Sequence, residues 1–177
     1  MLTFNRIQAF AVALAFVLVP VVALAAPKAI VFPFDLIDES QQQYEIGVMP
    51  AGISDEEKRR LTLITDELTK LLKESGRYDI VDSGPIAKEI ADQAPIYKCN
   101  GCEDGLAKKA GAEVAFIGTV RKASDVLFTV SVYIRDVGQE KVTRQASSEI
   151  YGNTDAMWLR AVHYIVNKRL FPEGASQ

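Results

Sequence analysis

The stretch EVAFIGTVRKASDVLFTVSVYIRDVGQEKVTRQASSEIY, Glu113 to Tyr151, decides how this chain folds. Val114 to Val120 is almost unbroken in apolar residues, which suits a strand buried on both faces in the middle of a sheet. The next strand alternates: Val126, Phe128, Val130, Val132 and Ile134 face one way, Thr129, Ser131, Tyr133 and Arg135 the other, so one face is buried and one wetter. Asp136-Val137-Gly138-Gln139 makes a turn, and Val142 to Tyr151 returns as the antiparallel partner.

Upstream, strands alternate with helices. KAIVFPFDL, residues 28–36, reads as a buried strand that ends or bulges at Pro33, which lacks a ladder donor. Ser54-Asp55-Glu56-Glu57 is a capping box. It opens a helix with Leu61, Ile64, Leu68, Leu71 and Leu72 on one face and Gly76 as its stop. RYDIVD, residues 77–82, is a short strand, and SGPIAKEIADQA starts a second helix with Pro85 in its first turn. A short third helix runs from about Glu103 to Ala110. Downstream, Asn153 or Thr154 caps a last helix with a stripe of Trp158, Ala161, Val162 and Ile165. The order β-α-β-α-α-β-β-β-α predicts an α/β fold with α+β character: a single mixed sheet of about five strands, parallel first and antiparallel last, covered by helices.

The ends of the chain say where it works. Residues 1–25 carry Arg6, an apolar run and Ala23-Leu24-Ala25, the layout of a secretory signal peptide cleaved after Ala25. Residues 26–171 are read as one domain and 172–177 as a flexible tail. No cysteine stands at the cleavage site, so lipid attachment is not expected, nor is stable membrane insertion once the signal is removed. The whole chain carries a formal charge of −3, and cleavage removes one base and no acid. That balance argues against binding nucleic acid or anionic lipid through bulk charge. The predicted address is periplasmic.

Two places invite chemistry. Cys99-Asn100-Gly101-Cys102 has the spacing of a thiol redox motif. Haem attachment needs histidine at 103, where Glu stands. Zinc needs more ligands than these two cysteines and the single histidine, His163, provide. A reactive dithiol is opposed by Glu103 and Asp104 and by the loop that precedes the motif, and a structural disulfide of an oxidising compartment is the expected state. The acidic residues Asp35, Asp38 and Glu39, with Tyr44, form a candidate binding loop at the end of the first strand, where open α/β sheets place ligands. That loop, residues 37–53, is polar and long enough to carry function. His163 has no catalytic partner in sight, and Gly111 and Gly118 make no phosphate-binding fingerprint.

With KAIVFPFDL, the long helix, RYDIVD and then CNGCEDGLAKKAGAEVAFIGTVRKASDVLFTVSVYIRDVGQEKV in place, the chain resembles a family of uncharacterised bacterial periplasmic proteins. It is more distantly similar to the α/β domains of the curli-export lipoprotein CsgG and the amino-terminal domain of TolB. The resemblance implies a non-catalytic envelope module that contacts other proteins. The lipid-bearing cysteine and pore-forming strands of the export lipoprotein are missing, so export through a pore is not implied. The function expected is thus binding or assembly in the cell envelope with a protein partner, without enzymatic activity, cofactor or metal. A periplasmic thiol-disulfide oxidoreductase using the CNGC pair and a periplasmic small-ligand binder stand as alternatives.

Overall fold

A computed structural model describes residues 25–39 and 53–172. Residues 1–24 of the expected signal peptide, Tyr44 with most of its loop, and residues 173–177 of the expected tail lie outside the described residues.

Six strands form one mixed sheet. The path β3 (Asp79–Ile80), β1 (Lys28–Val31), β4 (Val114–Lys122), β5 (Leu127–Asp136) and β6 (Lys141–Tyr151) carries β2 (Asp35–Asp38) alongside β4. β1 pairs in parallel with β3 and β4, whereas β4–β5–β6 is an antiparallel meander. The mixed sheet is therefore as expected, with one correction. The strand predicted over 28–36 is two segments, because Val31 pairs with Phe116 and Asp35 with Thr119, leaving one extra residue on the β1–β2 side.

Pro33 sits in that bulge, where its missing N–H costs the ladder nothing. The extra residue flips the alternation. Ala29 and Val31 share a face with Phe34 and Leu36, while Ile30 and Phe32 point to the other. The Phe34 N–H is taken up by Thr65 Oγ1 at 3.0 Å, and its ring lies on Gly118, where an added Cβ would meet it at 2.5 Å. This close approach is why a glycine interrupts the apolar run of β4.

The crossovers place the helices. From β1 the chain moves one way across the sheet to β3, then back past β1 to β4, so the connecting helices fall on opposite faces. α1 (Asp55–Ser75) begins with both reciprocal bonds of the Ser54–Glu57 capping box and ends at Gly76 in the left-handed region, φ 63°. It joins α4 (Asp155–Tyr164) and the π-helical segment Ile165–Leu170 over one face. Leu61, Ile64, Leu68, Leu72, Phe116, Phe128, Trp158 and Ile165 interlock there.

Among the described residues the other face is covered beside β1 and β4 and over the Tyr133–Arg135 end of β5, by α2 (Ala87–Gln93) and α3 (Cys102–Lys109), around Ile30, Phe32, Ile90, Leu106 and Ile117. Over the rest of β5 and β6 this face shows Thr129, Gln145, Ser147 and Glu149. β3 keeps only two of the six residues expected of it.

Candidate functional site

Three places could carry function: the disulfide corner, the acidic end of β2, and the open half of the sheet.

Cys99 and Cys102 are joined, S–S 1.94 Å with Cα atoms 5.4 Å apart. The loop between them needs positive φ at Asn100 (50°) and Gly101 (109°), a turn that Asn and Gly adopt at little cost. It leads directly into α3. Glu103 folds back on it, its Oε2 accepting the Gly101 N–H at 2.9 Å and lying 3.1 Å from Cys99 Sγ. Asp104 turns the other way and takes a two-point bond from Arg135 of β5, 2.7 and 2.5 Å, with Glu103 3.5 Å from the same guanidinium. Both acids are buried.

The negative charge that the sequence places beside the sulfurs is therefore split. Glu103 stays next to Cys99, and Asp104 is neutralised by Arg135. Cys99, Cys102 and Glu103 are the group of potential metal ligands found among the described residues. With both sulfurs bonded to each other, no thiolate is offered to an ion.

The acidic residues of β2 do not act together. The Asp35 carboxylate reaches down to accept the Tyr97 N–H at 3.1 Å, tying β2 to the 3₁₀ turn Ile96–Lys98 that precedes the disulfide. Burial pushes its carboxyl above the usual aspartate range, against the pull of the Tyr97 and Ile96 amides. The Asp38 charge acts on Lys122, and Glu39 lies 3.5 Å from Arg121. Lys122 also binds Glu57 at 2.9 Å and Asp125 at 3.1 Å.

Burial works against the Glu57 charge, yet the Ser54 amide and hydroxyl and the Lys122 ammonium together hold the carboxyl below its ordinary range. This end of the sheet is an ion-pair corner that fastens α1 to β4. Tyr44 lies outside the described residues. His163 pairs with Glu67 at 2.8 Å and straps α4 to α1.

Among the described residues no ion pair engages Gln145, Ser147 or Glu149 on the open half of the sheet. β6 is an edge strand of eleven residues, and Lys141–Gln145, Ser147, Glu149 and Tyr151 are exposed. Its outer row of main-chain groups is a template for another strand. Lys141 makes one end basic and Glu149 the other acidic, while Arg144 turns away toward the Leu170 carbonyl. The sequence marked these residues only as the return strand of a hairpin, since edge position depends on which strand pairs with which.

Comparison with known proteins bears on the fold. A family described as "Protein of unknown function (DUF2380)", DUF3280, matches residues 27–170. Among curated proteins, none matches. The crystal structure of lipoprotein GNA1162 from Neisseria meningitidis is similar at 12% identity, TM-score 0.52, over 84% of this chain and 99% of that one. The LpoB C-terminal domain from Salmonella enterica is similar at 12% identity, TM-score 0.49, over 74% and 87%. TolB from Acinetobacter baumannii is similar at 16% identity, TM-score 0.44, over 79% of this chain and 26% of that one. The first of these likenesses shows a shared fold.

Proposed function

We propose, since the chain belongs to the DUF3280 family of proteins of unknown function, that it is an exported, non-catalytic protein with a binding or assembly role in the cell envelope. Its contact surface is the open edge of β6. The partner contributes an extended segment that pairs with β6 and sets an acidic side chain toward Lys141 and a basic one toward Glu149. Main-chain hydrogen bonds supply the affinity in this mode, and alternate side chains the selectivity.

The observation that carries the reading is the length and exposure of β6 at the end of the sheet. The leader over residues 1–25 supports export to the periplasm, and the fold shared with a lipoprotein accords with an envelope address. No helix among the described residues is long and apolar enough to cross a membrane. A non-catalytic role is supported by the closed Cys99–Cys102 pair beside Glu103 and by His163, which is engaged with Glu67.

Site-specific photo-crosslinking in cells that export the chain tests this. A photo-reactive residue at Ser147 on β6 should give a discrete adduct with one envelope protein, linked through an extended segment. The same residue at Lys70, on the exposed face of α1, should not. Equal adducts at both positions, or none at Ser147, would remove the contact surface from the account.

A further inference from the structure

We infer that a second site, distinct from the β6 contact surface, binds a carboxylate carried on a short apolar group. It is the cleft between the start of β3 and the end of the π-helical segment, walled by Arg77, Tyr78, Arg144 and Phe171. The cleft encloses about 440 Å³, within the roughly 300–1,000 Å³ usual for small-molecule sites. Val114, Ile134 and Leu170 provide an apolar lining.

The cations are what make it a site. The Arg77 guanidinium lies 5.2 Å from the centre of the Phe171 ring, and Tyr78 packs against the same ring at 6.0 Å and edge-on to Phe116 at 5.0 Å. Arg144 donates from Nη1 to the Leu170 carbonyl, which engages one of its five N–H donors. Elsewhere Arg59 and Arg60 meet Glu56 and Asp155, Arg121 meets Glu39, and Arg135 meets Asp104.

Among the described residues Arg77 and Arg144 have no carboxylate partner; Arg160 and Arg169 have none either, but Arg77 and Arg144 are the two that line this half-apolar cleft. Asp136 is the acid in the lining, and its two oxygens accept the Gln139 backbone N–H and side-chain amide. Burial pushes the Tyr78 hydroxyl upward against the opposing pull of Arg144 and Arg77, so at neutral pH it remains a donor. Two guanidiniums and a phenol converge beside apolar walls. A carboxylate is matched by the planar forks of arginine, and its apolar body by Val114, Ile134 and Leu170. A bare inorganic anion leaves those walls unused.

Octanoate titrated into the exported chain, followed by backbone amide NMR, tests the assignment. N-acetyl-Ala-Leu with a free carboxylate serves as the alternative probe, and octanol and inorganic phosphate as controls. The expected result is saturable shifts at Arg77, Tyr78, Arg144 and Phe171. The tighter of the two acids tells whether a free acid or a chain terminus is the source.

Octanol and phosphate should bind roughly tenfold or more weakly, as should octanoate to the chain carrying Arg77→Gln with Arg144→Gln. Tyr78→Phe, which keeps the packed ring, should weaken binding severalfold in a chain whose other amide signals are unmoved. Octanol binding as well as octanoate, shifts mapping elsewhere, or affinity unchanged in both variants would overturn the site. None of these outcomes depends on a partner at β6.

Discussion

The two faces of the sheet are held by different means. The face under α1 and α4 buries Trp158, Phe116, Phe128, Leu68 and their neighbours in one continuous cluster. The face under α2 and α3 buries half as many described residues. It relies on point fastenings: the Cys99–Cys102 bond, the Arg135–Asp104 pair, and the Asp35 carboxylate on the Tyr97 amide. Short helices with few apolar residues cannot enclose a large core, so local cross-links substitute for area. The remainder of that second face, uncovered among the described residues, adjoins the edge of β6 proposed as the contact surface.

This contrast should appear first in stability. Trp158 is fully buried, tilted against Phe128 at 5.6 Å, with its indole N–H donated to Asn153 at 3.1 Å. Trp158→Ala should cost about 3–5 kcal/mol, read as a lower midpoint in urea unfolding. A loss below about 1 kcal/mol would mean that the large cluster does not hold the fold.

On the other face Arg135→Met should cost about 3 kcal/mol, because it leaves Asp104 and Glu103 buried without their cation. Adding Asp104→Asn should recover part of that loss. If it does not, the pair is not the fastening described.

Replacing both cysteines with serine comes next, at about 2 kcal/mol or less for so short a loop. The exported protein should contain the bond, resist mild reductant and fail to reduce insulin. Dithiol activity that disappears with the double substitution would restore the oxidoreductase reading.

Smaller still is Glu57→Ala, at about 1 kcal/mol. Its sign with pH follows from a carboxyl held below its ordinary range in the folded state. The stabilisation is fully present above the ordinary glutamate value near ~4.3. It fades as pH falls through the depressed folded value. Wild-type and variant unfolding curves should thus converge in acid, and a gap that widens there would contradict the Glu57–Lys122 geometry.

What the sequence disclosed follows the range of the forces involved. The capping box of α1, the alternation of β5 and the turn before β6 are local patterns, legible from neighbours a few residues apart. Even so, the strand over 28–36 concealed a bulge, since Pro33 announces a break while the register across it belongs to β4. β3 shrank to Asp79–Ile80 because only Lys28 and Ala29 of the short β1 lie opposite it.

Proximity in sequence groups Asp35 with Asp38 and Glu39, and the fold separates it from them, sending Asp35 to Tyr97 and Asp38 toward Lys122. Arg135 lies on the face that alternation marked as wetter, and α3 covers it. Arg77 and Arg144 meet around Tyr78 only through the order of strands, so no spacing could have joined them.

If the covered face holds the fold and the edge of β6 makes the contact, charge reversal at Glu149 should affect the second and spare the first. Glu149 is exposed on β6, opposite Thr129. Glu149→Arg should change unfolding free energy by less than about 0.5 kcal/mol and sharply reduce the adduct formed from a photo-reactive residue at Ser147. Unchanged crosslinking in the stable variant, or a large loss of stability, would contradict the account.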